Sequence, residues 1–457
     1  MISWWLQEAG TPASVTELDG TQRADVCIVG GGFTGLWTAL EIKRIEPSLD
    51  VVVVEAGECG TGASGRNGGF AMTFWHHFVG LERACGAAEA LRLARASDAA
   101  VAEIGEFCDQ HDIGADYRRA GWLWTATNRA QVGAWESTIA AIERHGEEPF
   151  QRIDADEVAR RSGSRTHIAG VFEPGSATVQ PALLVRGLLR VARLRGVRVF
   201  ERSPVVALER AQPLVVRTAS AQVAAERVVV AMGAWTAQLR ELRRAFVIVS
   251  SDIVITDPIP DRLERIGWGK GVSISDSRLM VHYYRTTDDG RIAFGKGGGR
   301  LGFGERIDSS FTGRSPIADQ VARRMRETYP ALAAVPVAAS WTGPIDRTLD
   351  GLPFFFSPGR PDLVCGAGYS GNGVGPSFIG GRILASLALG LDDQWARCGL
   401  VRSPPRGLPV EPLRYVGGRI VRGAVARKES AEDKDRRPSR IDRALAGLAP
   451  AGLVPLE

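Results

Sequence analysis

Ala24-Asp-Val-Cys-Ile-Val-Gly-Gly-Gly-Phe-Thr-Gly-Leu-Trp-Thr-Ala-Leu40 is followed, after a polar turn, by Val51-Val-Val-Val-Glu55. Val26 to Val29 is a short apolar run suited to a buried parallel strand, Thr34 to Arg44 reads as a helix, and Val51 to Val54 reads as a second buried strand ending in an acid. Between strand and helix, Gly30, Gly32 and Gly35 give the spacing G-x-G-x-x-G. Gly30 allows the tight turn, Gly32 lets a pyrophosphate approach the backbone, and Gly35 lets helix and strand pack closely. The helix start offers free N–H groups and a partial positive charge to that phosphate. Glu55 lies twenty residues beyond Gly35, where an acid accepts hydrogen bonds from a ribose 2′-OH. An unphosphorylated ribose is selected, so the pattern predicts FAD or NAD over NADP.

Downstream comes Ala56-Gly-Glu-Cys-Gly-Thr-Gly-Ala-Ser-Gly-Arg-Asn-Gly-Gly69. A loop so rich in glycine wraps backbone N–H groups around a phosphate, and Ser64, Arg66 and Asn67 within it argue against a plain linker. A third glycine-rich turn follows the apolar run at Leu363: Gly366-Ala-Gly-Tyr-Ser-Gly-Asn-Gly-Val374. Together these motifs resemble the D-amino-acid oxidase, glycine oxidase and sarcosine oxidase superfamily of FAD enzymes. The Ser-Gly-Arg-Asn-Gly-Gly form is most similar to its amine-oxidising branch, which includes γ-glutamylputrescine oxidase and a group of aminophosphonate oxidoreductases.

The resemblance implies a Rossmann-type α/β FAD-binding domain, discontinuous in sequence, plus an α+β substrate domain with a mostly antiparallel sheet. On that division residues 1–85, 172–240 and 342–400 bind FAD, 86–171 and 241–341 form the substrate domain, and 401–457 are a basic extension. Gly30, Gly32, Phe33, Thr34, Gly35, Glu55 and Ala56 are expected to hold the cofactor, as are Ser64, Arg66, Asn67, Gly68 and Gly69 of the second loop. The resemblance adds Val205 against adenine, Gly233 and Trp235 near the ADP moiety, and Gly368, Tyr369, Ser370, Gly371, Asn372, Gly373 and Val374 along the flavin. No cysteine occurs between Ser340 and Pro353, where sarcosine oxidases attach FAD, so noncovalent FAD is implied.

Candidate catalytic positions are fewer. Trp75-His76-His77 brings two histidines, and adjacent side chains diverge, so the pair is no metal site; His77 in the flavin pocket competes with a plain core or surface histidine. In Tyr283-Tyr284-Arg285 alternate side chains face opposite ways, which allows Tyr283 or Arg285 to line the pocket while the neighbour packs. Lys296 is read either as an ammonium near the flavin, where it stabilises superoxide, or as a solvent-facing hairpin lysine. The arginine with which amino-acid oxidases grip a substrate carboxylate is matched here by Ile345, with Asp346 beside it; Arg347 cannot be assumed to take its place, and a substrate without an α-carboxylate is expected.

Between these motifs the pattern predicts helices at Ala87 to Gln110, Gln131 to Arg144, Ala155 to Arg161 and Pro181 to Arg195. Strands are expected at Val197 to Phe200, Pro204 to Leu208, Phe246 to Thr256, Arg278 to Arg285 and Arg291 to Gly295. Trp4 and Trp5 are expected to anchor the N-terminal arm.

The composition, 44% hydrophobic and 24% charged, is that of a globular protein, and 457 residues suffice for two or three domains. No signal peptide or spanning helix is indicated. Six scattered cysteines without a C-x-x-C pair fit reduced thiols and a cytoplasmic location. Between Val401 and Arg443 twelve Lys or Arg face six Asp or Glu, a surplus of six within the chain's net +4. The acids are interleaved and no aromatic platform is present, so this tail reads as a solvated surface and not as a nucleic-acid site.

The implied reaction is two-electron oxidation of a C–N bond in a primary or secondary amine, which is the partner expected together with O2 or another electron acceptor. An NAD-dependent dehydrogenase leaves the Arg-Asn loop and the Gly-Tyr-Ser-Gly turn without a role. A flavin-binding protein that never turns over is the alternative of another class.

Overall fold

The computed structural model describes residues 3–11, 14–268, 271–304, 306–450 and 452. The opening stretch folds as its spacing dictates: strand Thr21–Val29, helix Phe33–Ile45, strand Val51–Val54. The two strands pair in parallel, Val26 against Val51 and Val29 against Val54. Around them a parallel sheet runs in the order Leu363–Ala367, Gln222–Val230, Thr21–Val29, Val51–Val54, Arg198–Phe200. The strands are apolar on both sides because both faces are covered. Leu36, Leu188 and Ile383 of the helices Phe33–Ile45, Pro181–Leu194 and Pro376–Leu389 share one core with Val53, and Cys27 and Val52 share another with Val216 and Phe246.

A second sheet runs in the order Val337–Arg347, Val247–Thr256, Ile292–Lys296, His282–Thr286, Ser273–Asp276, Trp122–Ala126, Ala169–Glu173, Gln151–Ile153. Its neighbours are antiparallel except Ser273–Asp276, which lies parallel to Trp122–Ala126. The molecule is thus an α/β fold with a Rossmann-like sheet beside a mostly antiparallel one. Trp5 is fully buried; its Nε1 donates to the Asn67 carbonyl at 2.9 Å and its ring meets Trp341 edge-on, so the N-terminal arm is pinned across the second glycine loop.

Several expected elements are shorter than their sequence pattern. The helix expected over Gln131 to Arg144 is regular only over Glu136–Glu143, because Gly133 adopts φ 80° and breaks the run. The strand expected from Pro204 starts at Ala207, since Pro204 has no N–H to donate to a ladder. The strand expected from Arg278 starts at His282, because Arg278 turns inward to pair with Asp276 and Asp433.

The basic tail is also not the solvated extension that its charge pattern suggests. Helix Leu413–Glu432 buries Ala424, Val425 and Glu429, and Val425 and Ala446 pack with Met280 beside the second sheet. Residues 451 and 453–457 of that tail lie outside the described residues.

Candidate active site

A cavity of about 730 Å³ is lined by residues of both sheets and of all three glycine-rich turns. Gly30, Gly32, Phe33, Thr34, Glu55 and Ala56 line it from the first turn, and Ser64, Arg66, Asn67 and Gly68 from the second. Val205, Gly233, Trp235 and Tyr369 to Val374 complete the lining that the sequence assigned to a cofactor.

The local reasons are steric and polar. Gly30 holds φ 114°, and a Cβ there would lie 2.4 Å from the Ala231 carbonyl oxygen. A Cβ on Gly35 would lie 1.9 Å from the Gly30 oxygen, so this glycine acts by letting the helix close on the turn and does not itself line the cavity. Gly32 caps the helix without a side-chain hydrogen bond, and Ser64 Oγ accepts from the Phe33 amide at 2.9 Å, which ties the second loop to the first. The Glu55 carboxylate accepts from the Gly31 and Gly57 amides at 2.7 and 2.9 Å. Burial nevertheless pushes its pKa up. Asn67 donates to the Ala63 and Ser64 carbonyls and accepts from the Gly69 amide at 2.7 Å, so it shapes the loop from within. Arg66 donates to the Thr61 carbonyl at 2.8 Å, and burial lowers its pKa to about 10.

These features suit an elongated dinucleotide: an acid at the end of the second strand, a helix whose N-cap is a glycine, and glycine turns that pack too closely to admit side chains. No cysteine lines the cavity among the described residues.

Gly69 and Gly368 do not line the cavity. Gly69 lies behind the loop, where a Cβ would meet Arg285 Nη2 at 2.8 Å, and the Gly368 amide donates to Asp346 Oδ2 at 2.6 Å. Asp346 itself lines the cavity, and burial pushes its carboxyl up to about 6.

Of the four candidate catalytic residues, two face the cavity. Tyr283 lines it, with its hydroxyl 2.7 Å from Ser251 Oγ and its ring edge-on to Phe70, while Tyr284 is buried in the aromatic core with Phe294. His77 lines it together with His76, whose Nε2 lies 3.3 Å from Asn372 Nδ2. Burial lowers His77 to about 4 and His76 well below the usual histidine range, so both imidazoles are neutral at pH 7.

Arg285 is turned away from the cavity. Its guanidinium donates to the carbonyls of Gly68, at 2.9 Å, and Val179, at 2.5 Å, and lies over the Trp5 ring. Lys296 fits neither expectation: it is buried off the cavity lining, with Nζ donating to the Gly297 carbonyl at 3.1 Å. The strand pattern left both residues open, because alternation fixes a face and not the reach of a long side chain.

Residues outside the sequence assignment also line the cavity, including Ser251, Ser275, Leu279, Val281, Gly298, Arg347 and Gly452. Arg347 is the last residue of strand Val337–Arg347, two residues and hence one pleat from Ile345, so both side chains face the same way. Burial lowers the Arg347 guanidinium to about 10, which leaves it charged at neutral pH.

Comparison with known proteins agrees with this architecture. The family model DAO, described as FAD dependent oxidoreductase, matches residues 25–387. The γ-glutamylputrescine oxidoreductase of Escherichia coli (strain K12) is 31% identical over 393 residues, 85% of this chain and 89% of the relative. The probable oxidoreductase OrdL of Haemophilus influenzae is 30% identical over 410 residues, 88% and 89% of the two chains. Among solved structures, glycine oxidase from Geobacillus kaustophilus superposes with a TM-score of 0.68 at 23% identity, over 83% of this chain and 99% of its own. The cradle of three glycine turns, the Glu55 carboxylate and the extent of these matches agree: the chain belongs to the DAO family of FAD-dependent oxidoreductases.

Proposed function

We propose that this enzyme oxidises the C–N bond of a primary or secondary amine that carries an acidic group, with Arg347 receiving the acid. The observation that carries the reading is the buried, charged Arg347 in the same cavity as Tyr283, His76, His77 and the Tyr369 to Val374 turn. A guanidinium offers a carboxylate or phosphonate a planar fork of donors.

Bound FAD supplies the acceptor for the hydride that leaves the amine-bearing carbon. The protein's residues position the substrate and exclude water. Tyr283 and Phe70 present ring faces and edges beside the glycine loop, and the Tyr283–Ser251 hydrogen bond holds the phenol in one orientation. Burial in this lining disfavours the charged form of an incoming amine by desolvation, and neutral His76 and His77 add no charge of their own. The amine loses one hydride from carbon and one proton from nitrogen, and water then adds to the imine to release an aldehyde and ammonia or a smaller amine. Orientation supplies most of the acceleration in such a scheme, so no strong base is needed.

Among acid-bearing amines, two classes with a longer chain fit the Arg347 fork. An aminoalkylphosphonate or its N-methyl form is one, with Arg66 as the other arginine in the described lining. A γ-glutamylated diamine is the other, supported by the 31% identical relative from Escherichia coli. N-methyl amino acids carry the same acid on a shorter chain. Six scattered cysteines without a disulfide frame favour action in the cytoplasm.

The test is anaerobic mixing of the purified holoenzyme with 2-aminoethylphosphonate, its N-methyl form, γ-glutamylputrescine, putrescine, sarcosine, glycine and D-alanine, with flavin absorbance recorded. Bleaching by an acid-bearing amine and not by putrescine supports the proposal, and readmitting air separates an oxidase from a dehydrogenase. A protein that binds FAD and is bleached by none of these amines, or by putrescine alone, overturns it.

A further inference from the structure

Lys296, Glu429 and Arg278 have no role in the chemistry above, yet all three are drawn into the body of the protein where the C-terminal segment docks. Arg278 joins Asp276 of the second sheet to Asp433 just beyond helix Leu413–Glu432, and His282 Nδ1 lies 3.0 Å from the same Asp276. Glu429 Oε1 accepts from the Met280 amide at 3.0 Å, and Arg422 Nε donates to the Gly298 carbonyl at 2.8 Å. Leu279, Val421 and Ala449 pack around the cluster of Met280, Val425 and Ala446.

These contacts reach the cavity from behind. Leu279, Val281, Gly297 and Gly298 line it, so the segment grips the residues that form this wall. Further along, the segment enters the lining directly at Gly452. A Cβ built there lies 3.5 Å from Arg347 Nη2 and 3.6 Å from Leu279 Cδ2. The segment itself lies beyond residue 387, where the match to the family model ends.

We propose that residues 413–450 and Gly452 form a wall of the substrate site and that Gly452 sets the size of the group admitted beside Arg347. The inference rests on the reading that the Arg347 region receives the acid end of the amine. A methyl group at 452 meets its neighbours at ordinary contact distance, whereas an indole has to occupy the space next to the guanidinium.

The experiment compares Gly452→Trp and a chain ending at Ala449 with the full-length holoenzyme. Two readouts are used: KM and kcat for the amine that bleaches the flavin, and quenching of bound-flavin fluorescence by acrylamide, which needs no substrate. Gly452→Trp is expected to raise KM about tenfold or more with kcat little changed and FAD content intact, and to reduce quenching. The shortened chain is expected to show increased quenching and to accept bulkier acids.

Unchanged KM and quenching in folded, FAD-loaded Gly452→Trp overturns the proposal. So does unchanged quenching in the shortened chain, should the tryptophan variant not fold. If no amine bleaches the wild type, the substrate reading fails by itself, and the quenching comparison still decides whether the segment walls the cavity.

Discussion

Glu55 Oε2 accepts the Gly31 amide hydrogen at 2.7 Å, which closes the end of the second strand onto the first glycine turn. Its other oxygen takes the Gly57 amide, so one carboxylate organises the backbone on both sides of the cofactor cradle.

Removing that carboxylate leaves two partly buried amides without acceptors, at about 1–3 kcal/mol for each that water cannot reach. Glu55→Ala is therefore expected to weaken FAD binding at least about tenfold, and Glu55→Gln, which keeps one oxygen acceptor, by less. Titration of the apoprotein with FAD, followed by flavin fluorescence, measures both. An alanine variant that holds FAD as tightly as the wild type removes Glu55 from the cofactor site.

Arg347→Gln separates recognition from chemistry. Charge-assisted hydrogen bonds of this kind contribute about 1.5–3 kcal/mol, so KM for an acid-bearing amine is expected to rise about 10- to 150-fold while kcat changes little. Arg347→Lys restores the charge without the planar fork and is expected to recover only part of the loss. Equal KM values for the wild type and Arg347→Gln exclude an acid at this place.

The cofactor cradle was legible because its determinants are local. Strand, glycines, helix and acid follow one another within Ala24 to Glu55, and the sterics at Gly30 and Gly35 depend on neighbours a few residues away or on one crossing turn. Strand alternation likewise set Tyr283 apart from Tyr284. The tail was opaque for the opposite reason: Arg278 finds Asp433, and Met280 finds Glu429, across about 150 residues of sequence. Interleaved charges look solvated in a linear reading, and only the fold reveals which of them are paired inside. Arg347 had to be judged against a family position now filled by Ile345, and its place in the cavity follows from the pleat of a strand whose end the sequence did not mark.

The histidines make a pH prediction. Burial holds His77 at about 4 and His76 well below the usual histidine range, so neither changes charge between pH 6 and 9. The proton that must leave before hydride transfer is on the substrate ammonium, with a pKa of about 10 for an alkylamine. kcat/KM is expected to climb with pH through neutrality, and His77→Asn is expected to keep that slope. An inflection near pH 6 belongs to Asp346, whose carboxyl burial raises to about 6, and has to vanish in Asp346→Asn. A rising limb near pH 6 or 7 that disappears in His77→Asn contradicts this assignment and makes the imidazole the base.

Arg285 provides the sharpest division between support and chemistry. It lies on the same face of its strand as Tyr283, yet Tyr283 reaches the cavity while the Arg285 guanidinium stops behind the glycine loop, on the carbonyls of Gly68 and Val179 and over Trp5. Burial lowers it to about 10, so it remains a cation, and its removal leaves two acceptors without their donor, the Val179 carbonyl buried and the Gly68 carbonyl half-buried. Arg285→Met is expected to destabilise the fold by about 2–4 kcal/mol, read as a lower melting temperature. FAD affinity is expected to fall with it, because Gly68 lines the cavity and loses its anchor. With FAD held saturating, the rate of flavin bleaching is expected to stay within about threefold of wild type, since only interactions made with the reacting groups enter the barrier. The converse result, normal FAD affinity and stability with bleaching abolished, assigns Arg285 to the substrate and requires its side chain to leave the loop during turnover.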